Sequence, residues 1–357
     1  MKRLFFLDNL RWMTVLLVIV YHVFYIFNCS GVVSSINVQG IPVFDAFQMF
    51  VYPWFMVLMF IIAGVSANYA LQKRSGKAFI KDRAIRILVP SITGMFAYGW
   101  IAGWIASQYA EDPEAFAQIP KAIQIMIIFL SGTGPLWFCQ LLFPFCLVLM
   151  LIRKIDKHQK LTAWGEKASL PVLILMMIPF WISSMILNMP MITVFRIGIY
   201  FFSFMMGYCV FCHESVQERL EKVAVWLMIP VLLSGIVITA LHYGENYADN
   251  AFLTNPLVNA YAWMMVLALF GIGRKYLNFQ NKFTAFMTTR SQSYYLLHYT
   301  FVVSIAYLCV TRLTMLPFGV YYVLMFSGTA LFLPLVTELL FRIPVLNTLL
   351  LGVTKKK

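Results

Sequence analysis

Apolar residues fill runs of about 20 with the polar residues gathered between them, the pattern of helices that cross ~30 Å of hydrocarbon. Ten such runs are expected, at residues 10–28, 48–70, 88–108, 135–152, 170–187, 195–212, 224–243, 256–273, 291–311 and 320–341. A shorter apolar piece, 121–130, is cut off from the fourth run by Ser131, Gly132, Thr133, Gly134 and Pro135, and is expected to lie in the outer interface or to re-enter. The predicted fold class is therefore all-α, a polytopic membrane protein with both termini on the cytoplasmic side. It is expected to be one integral-membrane domain over 1–345 followed by a basic tail, 346–357, that ends in Lys355, Lys356 and Lys357. The first run is too long for a signal-peptide core and no small-x-small pattern follows it, so it is read as retained.

Composition agrees with the pattern. Apolar residues make up 61% and charged residues 11%, with a mean hydropathy of +0.80, far from soluble norms. A net charge of +13 would suggest nucleic acid in a soluble chain; here it reports topology. With the N-terminus inside, all 27 lysines and arginines except Lys121, Arg196 and Arg312 fall on the cytoplasmic side or at its edge. The outer connections carry Glu111, Asp112 and Glu114, and Glu245 and Asp249.

Ionisable residues inside spans face the protein interior and mark sites or pathways. Two histidines lie inside spans, His22 and His298, whereas His158, His213 and His242 fall in loops or at a span end. Arg11 and His22 are 11 residues apart in the first run, which brings their side chains onto one line, about 16 Å apart along the axis. Asp8 is placed to hold the Arg11 guanidinium by an i, i+3 pair. His298 follows Ser291, Ser293, Tyr294 and Tyr295 and lies one turn beyond Tyr294, whose hydroxyl is expected to orient the ring. A neutral imidazole can act as a general base.

The loop after the second run carries Lys73, Arg74, Lys77, Lys81, Arg83 and Arg86 and closes with Pro90. Arg83 and Arg86 share a helix face at this mouth, and such a pair either binds a phosphate ligand or serves topology and lipid headgroups. Leu136, Trp137, Phe138, Cys139 and Gln140 open the fourth span, either as an interfacial anchor or as a wall of an acceptor site. No serine sits in a recognisable nucleophile elbow and no His, Cys and carboxylate group has metal-ligand spacing. Direct attack by a hydroxyl on an activated donor therefore needs the fewest assumptions. Cys209 and Cys212 form a C-x-x-C that reads as small hydrophobes, and Gly99 and Gly103 form a G-x-x-x-G that reads as helix packing.

In this order and topology, Phe6, Leu7, Asp8, Leu10, Arg11 and His22, Arg83-x-x-Arg86 with Pro90, Leu136-Trp137-Phe138, and Ser293, Tyr294, Leu296 and His298 resemble the membrane acyltransferase 3 family, which contains sugar O-acyltransferases of bacterial surface polysaccharides. The resemblance covers essentially the whole chain. It implies a multi-pass protein of the bacterial inner membrane that moves an acyl group, acetyl or succinyl, from cytoplasmic acyl-CoA to a hydroxyl of a cell-envelope carbohydrate or glycolipid, without a metal. On this reading His22 is the base, aided by Asp8 and His298, while Arg11, Arg83 and Arg86 hold the donor's phosphates. Asp45, Gln48, Trp137, Gln140 and Tyr294 are expected to touch the acceptor. Asn9 and Trp12 stand where family members often carry glycine. Some relatives append an extracytoplasmic esterase domain, and since this chain ends soon after the tenth run, transfer is expected to proceed without one or through a separate partner. The competing reading is a proton-coupled transporter of a lipid-linked or small anionic solute, with the two histidines as a relay. Against it, no second interruption answers that at 131–135.

Overall fold

The computed structural model describes residues 3–110, 112–190 and 194–353. Glu111 and the terminal Lys355, Lys356 and Lys357 lie outside them. The helices that matter here are α1 (Phe5–Tyr25), α2 (Val43–Val51), α3 (Phe55–Lys73), α4 (Gly76–Ser107), α5 (Lys121–Ser131), α6 (Gly134–Ile155), α7 (Lys160–Glu166), α8 (Leu170–Ser183), α9 (Ile197–Phe211), α10 (Glu214–Leu241), α11 (Pro256–Tyr276), α12 (Lys282–Arg312), α13 (Phe318–Arg342) and α14 (Pro344–Leu351). A small antiparallel ladder, Asn188–Pro190 with Val194–Arg196, precedes α9.

Among the described residues, eight helical stretches are long and apolar enough to cross a membrane: α1, α2 with α3, α4, α6, α10, α11, α12 and α13. They occupy eight of the ten expected windows. The other two windows hold shorter helices: α8 is bent 118° from α7, and α9 starts only after the ladder. The expected tail also begins as structure, since α14 runs to Leu351, which is buried.

The chain divides into two compact units. The first comprises the residues up to Thr14, Met49–Lys81 and Pro144–Thr289. Its centre is aromatic: Trp263 and Phe180 pack with ring centroids 5.1 Å apart, and Phe211 and Phe270 at 4.9 Å. The Trp263 indole N–H is satisfied by the Leu173 carbonyl at 2.8 Å, as a buried indole must be.

The second unit comprises Val15–Gln48, Asp82–Phe143 and the chain from Arg290. Its core joins the end of α1 and the turn after it (Val23, and Ile26 and Phe27) to α12 (Val302, Val303, Ala306) and α13 (Tyr321, Tyr322, Met325). The irregular segment after α1 is mostly partly exposed but sends Ile36, 1% exposed, into this core, and side chains satisfy part of its backbone. Asn28 Nδ2 donates to the carbonyls of Tyr25 and Val32, and Ser34 Oγ to those of Ile26 and Ile36.

The G-x-x-x-G of α4 is a helix contact. A Cβ added to Gly103 would stand 1.9 Å from the Ile128 carbonyl oxygen on α5, so only glycine permits this approach. Gly103→Val is expected to destabilise the protein by about 1–3 kcal/mol through overpacking, visible as a lowered Tm in detergent. An unchanged Tm would show that α5 is not held in this way.

Candidate functional site

The second unit brings the two intramembrane histidines into contact. His22 sits in the last turn of α1 and His298 at the middle of the 31-residue α12. His298 Nε2 and His22 Nδ1 are 3.2 Å apart. The carbonyls around the pair dictate where the protons lie, because a carbonyl only accepts. His298 Nδ1 donates to the Tyr295 carbonyl at 2.7 Å and shares its proton with that of Tyr294 at 3.1 Å. In the neutral ring this leaves Nε2 of His298 as a lone pair. His22 Nδ1 faces the Val18 carbonyl at 2.8 Å and must carry a proton as well. That proton is shared between the Val18 oxygen and His298 Nε2.

The remaining nitrogen, His22 Nε2, is then an unprotonated lone pair. It makes no hydrogen bond among the described residues. His298 is completely buried, whereas His22 is only partly so. Aromatic rings fix the His22 imidazole: Tyr21, Tyr25 and Tyr299 lie with centroids at 5.2, 5.8 and 5.1 Å. Tyr299 is in turn anchored to Ser35 of the irregular segment, oxygen to oxygen at 2.8 Å. The orienting groups of His298 are thus backbone carbonyls one turn back, and not the Tyr294 hydroxyl expected from sequence. Tyr294 itself is buried.

The turn that opens α6 abuts the same region of α12. The Tyr295 hydroxyl donates to the Pro135 carbonyl at 2.5 Å, and the Phe138 ring packs on Tyr295 at 5.6 Å. Trp137, half-buried, stands edge-on to Phe138; Gln140 is half-buried on the next turn.

Arg83 and Arg86 lie where α4 loosens into a π turn, Ala84–Leu88. Pro90 explains the loosening. It has no N–H to give the Arg86 carbonyl four residues back, and that oxygen instead accepts from Gln292 Nε2 of α12 at 2.5 Å. The helix end of α14 closes on the same carbonyl: a Cβ added to Gly352, at φ +66°, would meet it at 2.4 Å. The Arg86 side chain reaches Asp82 at 2.9 Å and is 40% exposed. Gln292 precedes His298 by six residues on α12, an axial rise of about 9 Å. The arginine turn and the histidine pair are therefore fastened to the same helix less than two turns apart. Gln292 was not singled out from sequence, although a proline inside a span signals that a carbonyl one turn earlier must find a foreign donor.

Asp45 and Gln48 are 3% and 0% exposed and are committed to the fold. Asp45 Oδ2 accepts from the Cys29 N–H at 2.9 Å and Oδ1 from Gln48 Nε2 at 3.1 Å, bracing the segment after α1. In the first unit, Asp8 takes Arg3 at 2.8 Å and Arg11 at 3.4 Å, the latter being the i, i+3 pair read from sequence. Arg11 Nη2 also donates to Ser66 at 3.3 Å. Cys209 and Cys212 are buried free thiols.

A family model described as an acyltransferase domain matches residues 4–336, nearly the whole chain. Neither the curated proteins nor the solved structures contain a match.

Proposed function

The chain belongs to the acyltransferase 3 family, and on that premise we propose that it is a multi-pass O-acyltransferase of the bacterial inner membrane, moving an acetyl or succinyl group from cytoplasmic acyl-CoA to a hydroxyl of a cell-envelope carbohydrate or glycolipid. The observation that carries this reading is the 3.2 Å contact between His22 and His298, with a free lone pair on His22 Nε2. His22 Nε2 takes the proton of the acceptor hydroxyl as its oxygen attacks the thioester carbonyl. The imidazolium formed keeps its Nδ1 proton between two acceptors, the Val18 carbonyl and His298 Nε2, which stabilise the new charge. When the C–S bond breaks, His22 returns the proton to the leaving thiolate and is neutral again. His22 is the catalytic residue in this scheme and His298 a positioning residue.

Arg83 and Arg86 are assigned to the donor's phosphates, whose oxygens suit planar guanidinium forks. Their support is the tether through Gln292, which keeps the arginine turn about 9 Å from His298 along α12. Trp137 and Gln140, at the turn held to Tyr295, are assigned to the acceptor. In proteoliposomes given radiolabelled acetyl-CoA and a glycolipid acceptor, acyl product is expected to accumulate. Arg83→Ala and Arg86→Ala are each expected to raise the donor KM about fivefold, roughly 1 kcal/mol at half-exposed positions, with kcat nearly unchanged. Donor KM values equal to wild type in both variants would remove the arginines from the donor site, and solute movement without covalent product would replace the enzyme by a carrier.

A further inference from the structure

α14 lies wholly beyond the stretch that matches the acyltransferase domain, which ends at residue 336 inside α13. Its far end nevertheless rests on the arginine turn of α4. Leu351, 1% exposed, closes the helix, and Gly352 follows in the left-handed conformation at φ +66°, which strains any residue that carries a Cβ. The chain then turns back, with the Val353 N–H on the Asn347 carbonyl at 3.1 Å and Thr348 Oγ1 on the Val353 carbonyl at 2.9 Å. A Cβ on Gly352 would stand 2.4 Å from the Arg86 carbonyl oxygen, 2.9 Å from its carbon and 3.0 Å from the Arg86 Cα. Bare glycine backbone therefore lies directly against the Arg86 peptide. Thr93 Oγ1 adds a second fastening between α4 and α14, donating to the Leu349 carbonyl.

The near end of α14 is held to α12. Arg290 of α12 grips Glu338 of α13 through Nε at 2.5 Å and Nη2 at 3.0 Å, and its guanidinium lies 4.0 Å from the centre of the Phe341 ring. Asn347 Nδ2 donates to the Phe341 carbonyl at 3.2 Å, which fixes the corner between α13 and α14. Gln292, two residues after Arg290, holds the Arg86 carbonyl from α12 itself. The contacts close a ring that starts and ends on α12, with the Arg86 peptide clamped between Gln292 and Gly352. A π turn is a local departure from the regular helix ladder, so what packs on this one helps to fix where its side chains point. The clamp acts on the backbone and leaves the Arg86 side chain, 40% exposed and paired with Asp82, outside it.

We propose that α14 is a positioning element of the donor site: by pressing Gly352 on the Arg86 peptide and taking the Thr93 hydroxyl, it sets the direction of the arginines that meet the donor's phosphates. This rests on the assignment of Arg83 and Arg86 to the donor. Guanidinium forks bind phosphate oxygens by direction as well as by charge, so a turn released from α14 loses donor affinity while the histidine pair stays intact.

The test measures the Kd for coenzyme A by titration calorimetry on the full chain in maltoside detergent, together with backbone hydrogen exchange over residues 84–89. Gly352→Ala is expected to speed exchange in that turn and to raise the Kd about fivefold, the loss expected of one arginine. Thr93→Val keeps the side-chain volume and removes the hydroxyl, and is expected to raise the Kd about twofold, a fraction of one hydrogen bond, with Tm near wild type. Gly103→Val, destabilised at its contact with α5, should leave the Kd at wild type, which separates positioning from general loss of stability. Adding Gly352→Ala to Arg86→Ala should raise the Kd no further than Arg86→Ala alone. Unchanged exchange in Gly352→Ala would show that no clamp exists. A raised Kd in Arg86→Ala with a wild-type Kd in Gly352→Ala and Thr93→Val would overturn the proposal and leave the donor assignment standing. Wild-type Kd values in both Arg83→Ala and Arg86→Ala would overturn the donor assignment and this proposal with it.

Discussion

Replacing His22 by alanine is expected to lower kcat for acyl transfer by about 10²- to 10⁴-fold, the usual worth of a positioned general base. The protein should remain folded. The ring is only partly buried and packs by its edges against Tyr21, Tyr25 and Tyr299, and none of these loses a hydrogen bond to it. The donor KM should stay near wild type, because the base acts on the acceptor hydroxyl and not on the donor's phosphates. Initial rates in proteoliposomes, with Tm measured on the same preparation, separate the loss of chemistry from the loss of fold. A variant retaining a rate within threefold of wild type would remove His22 from catalysis.

His298 should matter through His22. Its Nε2 is the acceptor that holds the Nδ1 proton of the His22 ring, and a hydrogen bond to a charged partner is worth about 1.5–3 kcal/mol. His298→Leu fills the space without an acceptor and is expected to reduce kcat about 10- to 150-fold. His298→Gln restores an acceptor oxygen and should recover part of that loss, which a purely space-filling role would not produce. Both variants delete the Nδ1 bond to the Tyr295 carbonyl, so their Tm values should fall together while their rates diverge. Equal rates would assign His298 to packing.

Much of this site was legible in the chain, for physical reasons that differ residue by residue. Hydrocarbon tolerates ionisable groups so poorly that His22 and His298 stand out in any apolar run. Their pairing did not, because it joins positions 276 residues apart. The spacing of Gly99 and Gly103 announced a close backbone approach, and α5 supplies the partner. Asp8 to Arg11 was readable as local geometry.

What sequence left hidden is which polar groups are already spent. Asp45 and Gln48 were singled out as acceptor contacts; that Asp45 takes the Cys29 N–H after α1 while Gln48 holds its other oxygen was not readable, because a side chain's identity does not reveal which N–H it meets. The π turn at Arg86 follows from Pro90, yet the helix that relieves the orphaned carbonyl was not deducible. The expected windows at 170–187 and 195–212 were apolar enough to span. Apolarity alone does not show that one is bent sharply from its predecessor and the other starts at a short ladder around a buried arginine.

The most direct test of the histidine pair is a double-mutant cycle on kcat. If His298 acts only by holding the His22 ring, adding His298→Leu to His22→Ala lowers the rate no further than His22→Ala alone, since the interaction it serves is already gone. If the two losses multiply, the histidines work independently, and a single base positioned by its neighbour is contradicted.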